Sequence, residues 1–139
     1  LVKGLTRPMT VNMEDIHWEG ETTIICICNG RYYGGGFYAI PEADPTDGML
    51  DVLLVDKVSR AQVPFVIGKY KDGRYKELSK IARYIRTDSI KVTCDRSTPI
   101  NLDGEIRWAE EVEFKVAEQK IRFFYPRGLS WQAKEPVNT

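Results

Sequence analysis

One histidine, an odd number of cysteines, no net charge and no long apolar run set the limits of this 139-residue chain. A single histidine, His17, leaves too few soft ligands for a zinc site and reads as a plain surface residue. It also makes any Ser-His-Asp or Cys-His mechanism depend on one position in a polar stretch. Cys26, Cys28 and Cys94 lie in apolar runs typical of strand interiors, so they read as reduced, buried and structural, which favours the cytoplasm. Lys plus Arg and Asp plus Glu are both 20. No global field therefore draws the chain to nucleic acid or to an anionic membrane. No run approaches the roughly 20 apolar residues that span a bilayer, so membrane contact is expected to be peripheral. LVKGLTRPMT has neither the apolar core nor the cleavage site of a signal peptide. The chain begins on Leu and reads as a piece of a longer protein, with one domain over residues 1–126 and a polar tail over 127–139.

What is present is mostly strand. Thr22 to Cys28 (TTIICIC) is a continuous β-branched and Cys-rich run, and LDVLLVD from Leu50 to Asp56 is another. Thr10 to Glu14 alternates weakly, with Pro8 marking its start. Asn29-Gly30 supplies a two-residue turn, which predicts that Arg31, Tyr32 and Tyr33 return antiparallel to the first run. Ser59 and Gln62 have capping-box spacing and Val58 can staple to Val63, so a short helix is predicted from there to about Gly68, weakened by Pro64. Residues 69 to 80 are charged and ambiguous; strand is predicted from about Tyr84. Ile90, Val92 and Cys94 alternate with polar residues, as do Val112, Phe114 and Val116, and Ile121 and Phe123. The reading is a mainly β fold, an antiparallel β-sandwich or related barrel with one or two short helices.

Three features can carry chemistry. Gly34-Gly35-Gly36 interrupts a strand pattern and marks either a bulge or a place where a backbone or ligand comes close. It is not a phosphate-binding P-loop, because the Lys-Ser/Thr and the following helix are missing. Asp44-Pro45-Thr46-Asp47-Gly48-Met49 puts two carboxylates and several carbonyls in one loop, as a hard cation such as Mg²⁺ requires, or else is a polar turn before a strand. Asn101-Leu102-Asp103-Gly104-Glu105 is a hairpin turn by default. Its carboxylates also project where one could take a proton from a substrate hydroxyl.

The run GGGFYAIPEADPTDGMLDVLLV followed by PINLDGE resembles the C-terminal domain of the bacterial diacylglycerol kinase family, soluble lipid kinases related to sphingosine and ceramide kinases. The similarity extends to the short helix and to the closing aromatic segment Phe123, Phe124, Tyr125 and Pro126. It implies a two-domain ATP-dependent lipid kinase, in which an N-terminal α/β domain carries a Gly-Gly-Asp-Gly-Thr nucleotide loop and a C-terminal β-sandwich shapes the cleft. No GGDGT occurs in this chain, so the expected partner is a missing N-terminal kinase domain that binds most of the ATP, and the fragment alone is expected to be inactive. The resemblance assigns Glu105 as the base toward the lipid hydroxyl. It assigns a structural Mg²⁺ to the Asp47 side chain with the carbonyls of Asp44 and Met49, and makes Gly34, Gly35 and Gly36 cleft wall. It also implies a lipid substrate such as diacylglycerol, a cytoplasmic protein peripheral to the membrane, and no nucleic-acid partner; a bare apolar face could drive homodimerisation. Residues 69 to 88 fit the pattern loosely, which leaves the acceptor lipid open. The alternative is a stand-alone β-sandwich binding carbohydrate or protein through Trp18, Trp108 and Trp131; oligonucleotide binding is disfavoured by the charge balance.

Overall fold

A computed structural model describes residues 6–122, 124 and 126–128. Strands β1 (Arg7–Met13) and β2 (Ile16–Cys28) form a hairpin whose last pair, Met13 and Ile16, leaves only Glu14 and Asp15 in the turn. A long loop leads to β3 (Leu50–Asp56), followed by helix α1 (Val63–Lys71), a 3-10 helix (Tyr75–Leu78) and β4 (Ala82–Thr87). A second hairpin, β5 (Ser89–Leu102) and β6 (Glu105–Lys115), completes one six-stranded sheet in the order β4-β3-β2-β1-β5-β6, antiparallel throughout. Pro8 is accommodated because β5 pairs with β1 only from Met9 to Asn12, so the missing amide hydrogen leaves no gap on that side.

β3 is buried on both faces, which explains its unbroken apolar run. Leu53 and Val55 face α1, the 3-10 helix and the long loop, packing with Ile40, Val66, Tyr70 and Leu78. Leu50, Val52 and Leu54 face the other way, onto Val11, Met13, Ile90 and Val92. That second core contains no helical residue, yet Val11, Val52 and Leu54 are fully buried and Ile85 of edge strand β4 and Phe114 of edge strand β6 both join it. The sheet must therefore coil over itself, helped by bulges between Thr22 and Ile24 and between Thr93 and Thr98. This closure is the sandwich-like arrangement expected from the sequence.

Several local expectations change. Arg31 to Tyr33 does not return as a strand. The antiparallel partner of Thr22–Cys28 is β3, while Tyr33 pairs with Phe37 and Arg31 bonds the Ala43 carbonyl, so the residues after Asn29-Gly30 are held by the long loop itself. His17 lies within β2, exposed, with Nδ1 2.6 Å from Asn12 Oδ1. Ser59 does bond Gln62, its amide and hydroxyl donating to Gln62 Oε1 at 2.9 and 2.8 Å, but this closes a turn ahead of the helix. α1 then starts at Val63 with Pro64 in its first turn and runs through Gly68 to Lys71. Burial of Val66 and Tyr70 outweighs the roughly 1 kcal/mol that an interior glycine costs. Ile121 and Arg122 form no strand, and Ile121 is 80% exposed. Phe123, Tyr125, Trp131 and most of the tail lie outside the described residues; Phe124 is 96% exposed.

Candidate functional site

The three glycines form a tight loop, not a bulged strand. Tyr33 and Phe37 exchange both backbone hydrogen bonds, at 3.1 and 3.0 Å, so the chain must reverse within Gly34, Gly35 and Gly36. Their φ values are 52°, 73° and 118°, a conformation that L side chains resist. A Cβ on Gly35 or Gly36 would meet nothing within 4 Å, so backbone geometry, not close packing, requires glycine. The loop's two halves are tied by the buried Arg31, whose Nε donates to the Ala43 carbonyl at 3.0 Å.

The aspartate loop that follows is bonded mainly to itself. The Asp44 carboxylate accepts from the Thr46 amide at 2.9 Å and from the Thr46 hydroxyl at 2.7 Å. Asp47 Oδ1 accepts the Met49 amide at 2.9 Å, and Oδ2 is ion-paired with the Arg86 guanidinium. Arg86 also approaches Asp51, with Nε 3.4 Å from Oδ1. Asp51 is fully buried, receives the Tyr84 hydroxyl at 2.6 Å on Oδ1, and has no hydrogen-bond partner on Oδ2. Burial pushes its carboxyl above the usual range, against the Tyr84 bond and the Arg86 charge. Sequence reasoning singled out Asp44, Asp47 and Met49 but missed Asp51 and Arg86. The available signal was an aspartate inside LDVLLV, since a charged group in a strand buried on both faces requires a partner.

The donors fit a hard cation in chemical type. Among the described residues no three His, Cys, Asp or Glu side chains converge, so such a site has to draw on main-chain oxygen as well as Asp47. The Asp47 carboxylate with the carbonyls of Asp44 and Met49 would supply oxygen alone; Asp47 Oδ2 is ion-paired with Arg86 and the Asp44 carbonyl accepts the Asp47 amide at 3.3 Å.

The predicted hairpin turn forms as expected. Asp103 (φ 50°) and Gly104 (φ 105°) are its two central residues, and the Gly104 amide donates to Asn101 Oδ1 at 2.8 Å. Glu105 stands just beyond, its side chain 72% exposed, with Oε2 accepting Arg107 Nη2 at 2.8 Å. The structure pairs Glu105 with Arg107 and Asp47 with Arg86, and does not pair the two acids with each other. They nevertheless lie toward the same end of the sheet: beyond Arg7 of β1, β2 runs on to Cys28 opposite Asp51, and β5 runs on to the Asp103-Gly104 turn.

A cavity of about 340 Å³ opens between α1 and the sheet, walled by Ile24, Val55, Val63, Val66, Tyr33 and Tyr70. Its volume is at the lower end of the ~300–1,000 Å³ typical of ligand pockets, and its lining is almost wholly apolar. Phe65 and Ile67 of α1 are exposed on the helix above it. Among the described residues, Trp18 and Trp108 form no shared platform. Trp18 is half-buried on β2, with Arg83 5.8 Å from its ring, whereas Trp108 lies exposed on β6, beyond β1 and β5.

A protein of Stenotrophomonas maltophilia named "Probable lipid kinase YegS-like" is 30% identical over 128 residues, covering 90% of this chain and 41% of its own. A protein of Xanthomonas oryzae pv. oryzae with the same name is 29% identical over 116 residues, covering 83% and 37%. The chain thus spans about two fifths of the length of these curated relatives. The crystal structure of a diacylglycerol kinase from Bacillus anthracis superposes with a TM-score of 0.60 over 80% of this chain and 40% of that one, at 19% identity, a likeness of fold. The family described as the YegS C-terminal NAD kinase beta sandwich-like domain matches residues 5–125, and this chain belongs to it.

Proposed function

We propose that this domain is the lipid-holding and base-supplying half of a soluble lipid kinase, which transfers the γ-phosphoryl of ATP to the hydroxyl of a lipid such as diacylglycerol. The observation that carries the reading is Glu105: an exposed carboxylate on a tight turn, steadied by Arg107, at the end of the domain that also bears the glycine and aspartate loops. Phosphoryl transfer asks mainly for positioning and charge stabilisation, and a carboxylate need only orient and deprotonate the attacking hydroxyl. Glu105 takes that proton, and Arg107 holds it in place. The apolar cavity beneath α1 takes acyl chain, leaving the polar head to reach the turn. ATP supplies the phosphoryl group and is held by an N-terminal α/β domain, so this domain by itself phosphorylates nothing. Mg²⁺ at Asp47 and the Asp44 and Met49 carbonyls would brace the loop. The enzyme works in the cytoplasm at the membrane periphery; among the described residues no helix is long and apolar enough to cross a membrane.

The test uses the full-length kinase that carries this domain. Glu105→Gln is expected to lower lipid phosphorylation by roughly 100-fold or more, the lower end of what a positioned general base contributes. Its melting temperature should stay put, since the side chain is exposed. Turnover that survives the change makes position 105 a turn residue only. For the loop, Asp47→Asn should abolish Mg²⁺-dependent thermal stabilisation; a parent protein that Mg²⁺ does not stabilise removes the cation from the reading.

A further inference from the structure

Alternation along β2 places Cys26 and Cys28 on the face toward α1, two residues apart. Both are free thiols, and their sulfurs are 3.2 Å from each other, inside hydrogen-bond distance. Cys28 is buried, whereas Cys26 is half-buried and packs beside Tyr33 and Tyr70, two residues of the cavity wall. The Tyr33 and Tyr70 hydroxyls are themselves hydrogen-bonded. From this arrangement we infer that Cys26 and Cys28 are an oxidisable dithiol: a hydroperoxide converts Cys26 to a sulfenic acid, and Cys28 resolves it into an intrastrand disulfide.

The roles follow from the surroundings. Either sulfur can donate across the 3.2 Å contact; with the buried Cys28 as donor the Cys26 thiolate is favoured despite burial, and the Tyr70 and Tyr33 hydroxyls act in the same direction. Donating that hydrogen bond, and burial after it, push the Cys28 thiol far up, so it is not the group that attacks the peroxide. The Cys26 thiolate attacks one peroxide oxygen; an S–O bond forms, the O–O bond breaks, and the other oxygen leaves as an alcohol after taking up a proton. The Cys28 sulfur then attacks Cys26, an S–S bond replaces the S–O bond, and the hydroxyl leaves as water with the Cys28 proton. Two electrons pass from the thiol pair to the peroxide.

Strand geometry makes the bridge reversible. Two residues of extended chain separate the Cα atoms by about 6.4–6.8 Å. That is the upper edge of the ~4.4–6.8 Å that disulfides span, and strained bridges are the readily reduced ones. A small thiol therefore restores the pair. Cys94, half-buried on β5 and away from both, has no such neighbour and is the internal control.

The experiment is peroxide treatment of the folded, reduced chain, iodoacetamide blocking in denaturant, and intact mass. The expected product has lost two hydrogens and is alkylated only at Cys94, and dithiothreitol returns all three alkylation sites. Cys28→Ser should instead hold one added oxygen at Cys26, trapped by dimedone. Three alkylated cysteines after peroxide, or oxygen accumulating on the parent chain without a bridge, overturns the inference. So does a Cys28→Ser chain that gains nothing at Cys26.

Discussion

β3 and the outer half of the β5–β6 hairpin are opposite solutions to the same chemistry. β3 has a strand on each side, α1 over one face and the coiled far half of the sheet over the other, and six of its seven residues are buried. Beyond the bulge at Thr93 to Thr98, the hairpin loses its β1 neighbour and, among the described residues, continues as two strands. There Trp108 is 65% exposed, and Ile106 and Leu102 are exposed too. A two-stranded ribbon is marginal by itself in water. The lesson is that the fold holds its scaffold and the arm carrying Glu105 to different standards: the half with α1 is packed on both faces, and the arm presents apolar surface that a partner can cover.

The largest expected effect tests the complete half. Leu53→Ala removes a fully buried side chain between β3 and α1 and should cost about 2–5 kcal/mol in urea unfolding. Trp108→Ala, a larger deletion, should change stability by no more than about 0.5 kcal/mol in this chain, as exposed sites do. Comparable losses would erase the contrast. A smaller effect is expected at Gly35, which has φ 73° and open space where a Cβ would go. Gly35→Ala there should cost about 1–2 kcal/mol, all of it backbone conformation. Stability unchanged on that substitution would mean that the loop relaxes to another shape.

How far the sequence showed these two regions depends on how local each signal is. LDVLLVD stands as read, because burial on both faces writes itself as an unbroken apolar run. The Asp103-Gly104 turn stands too, since positive φ at two adjacent residues selects for that dipeptide. Asn29-Gly30 carries the same signal but misleads, because the residues after it bond within the long loop, Tyr33 to Phe37 and Arg31 to the Ala43 carbonyl, and β3 is the strand that pairs with Thr22–Cys28. The polar stretch from Ile16 to Glu21 hid the outer half of β2, whose pairing with β1 alone leaves it solvated. Of the candidate site, Glu105 and Asp47 are visible as residues, but their partners are not. Arg86 meets Asp47 only because β4 runs beside β3 in a register that sets it opposite Asp51. That Cys26 and Cys28 share a face follows from period two; that their sulfurs touch follows from side-chain rotation, which the sequence does not record.

The smallest effect sharpens the same contrast through charge. On the helical side, Glu77 at the 3-10 helix is gripped by Arg74 and by Lys69 of α1. Arg74 first, then Lys69, hold its carboxyl at about 2, below the ordinary 4.5. A depressed carboxylate contributes stability that is fully present above its unfolded value and is lost as pH falls through the folded one. The window is therefore from 4.5 down to about 2. Because Glu77 is at the surface, water and salt screen the contribution, and it should be modest. The urea midpoint of the parent should exceed that of Glu77→Gln at pH 6, and the gap should close across that window. A gap that keeps its size to the acid limit would show that Glu77 joins α1 to the 3-10 helix through packing of its stem, and that charge has no part in holding this half of the molecule together.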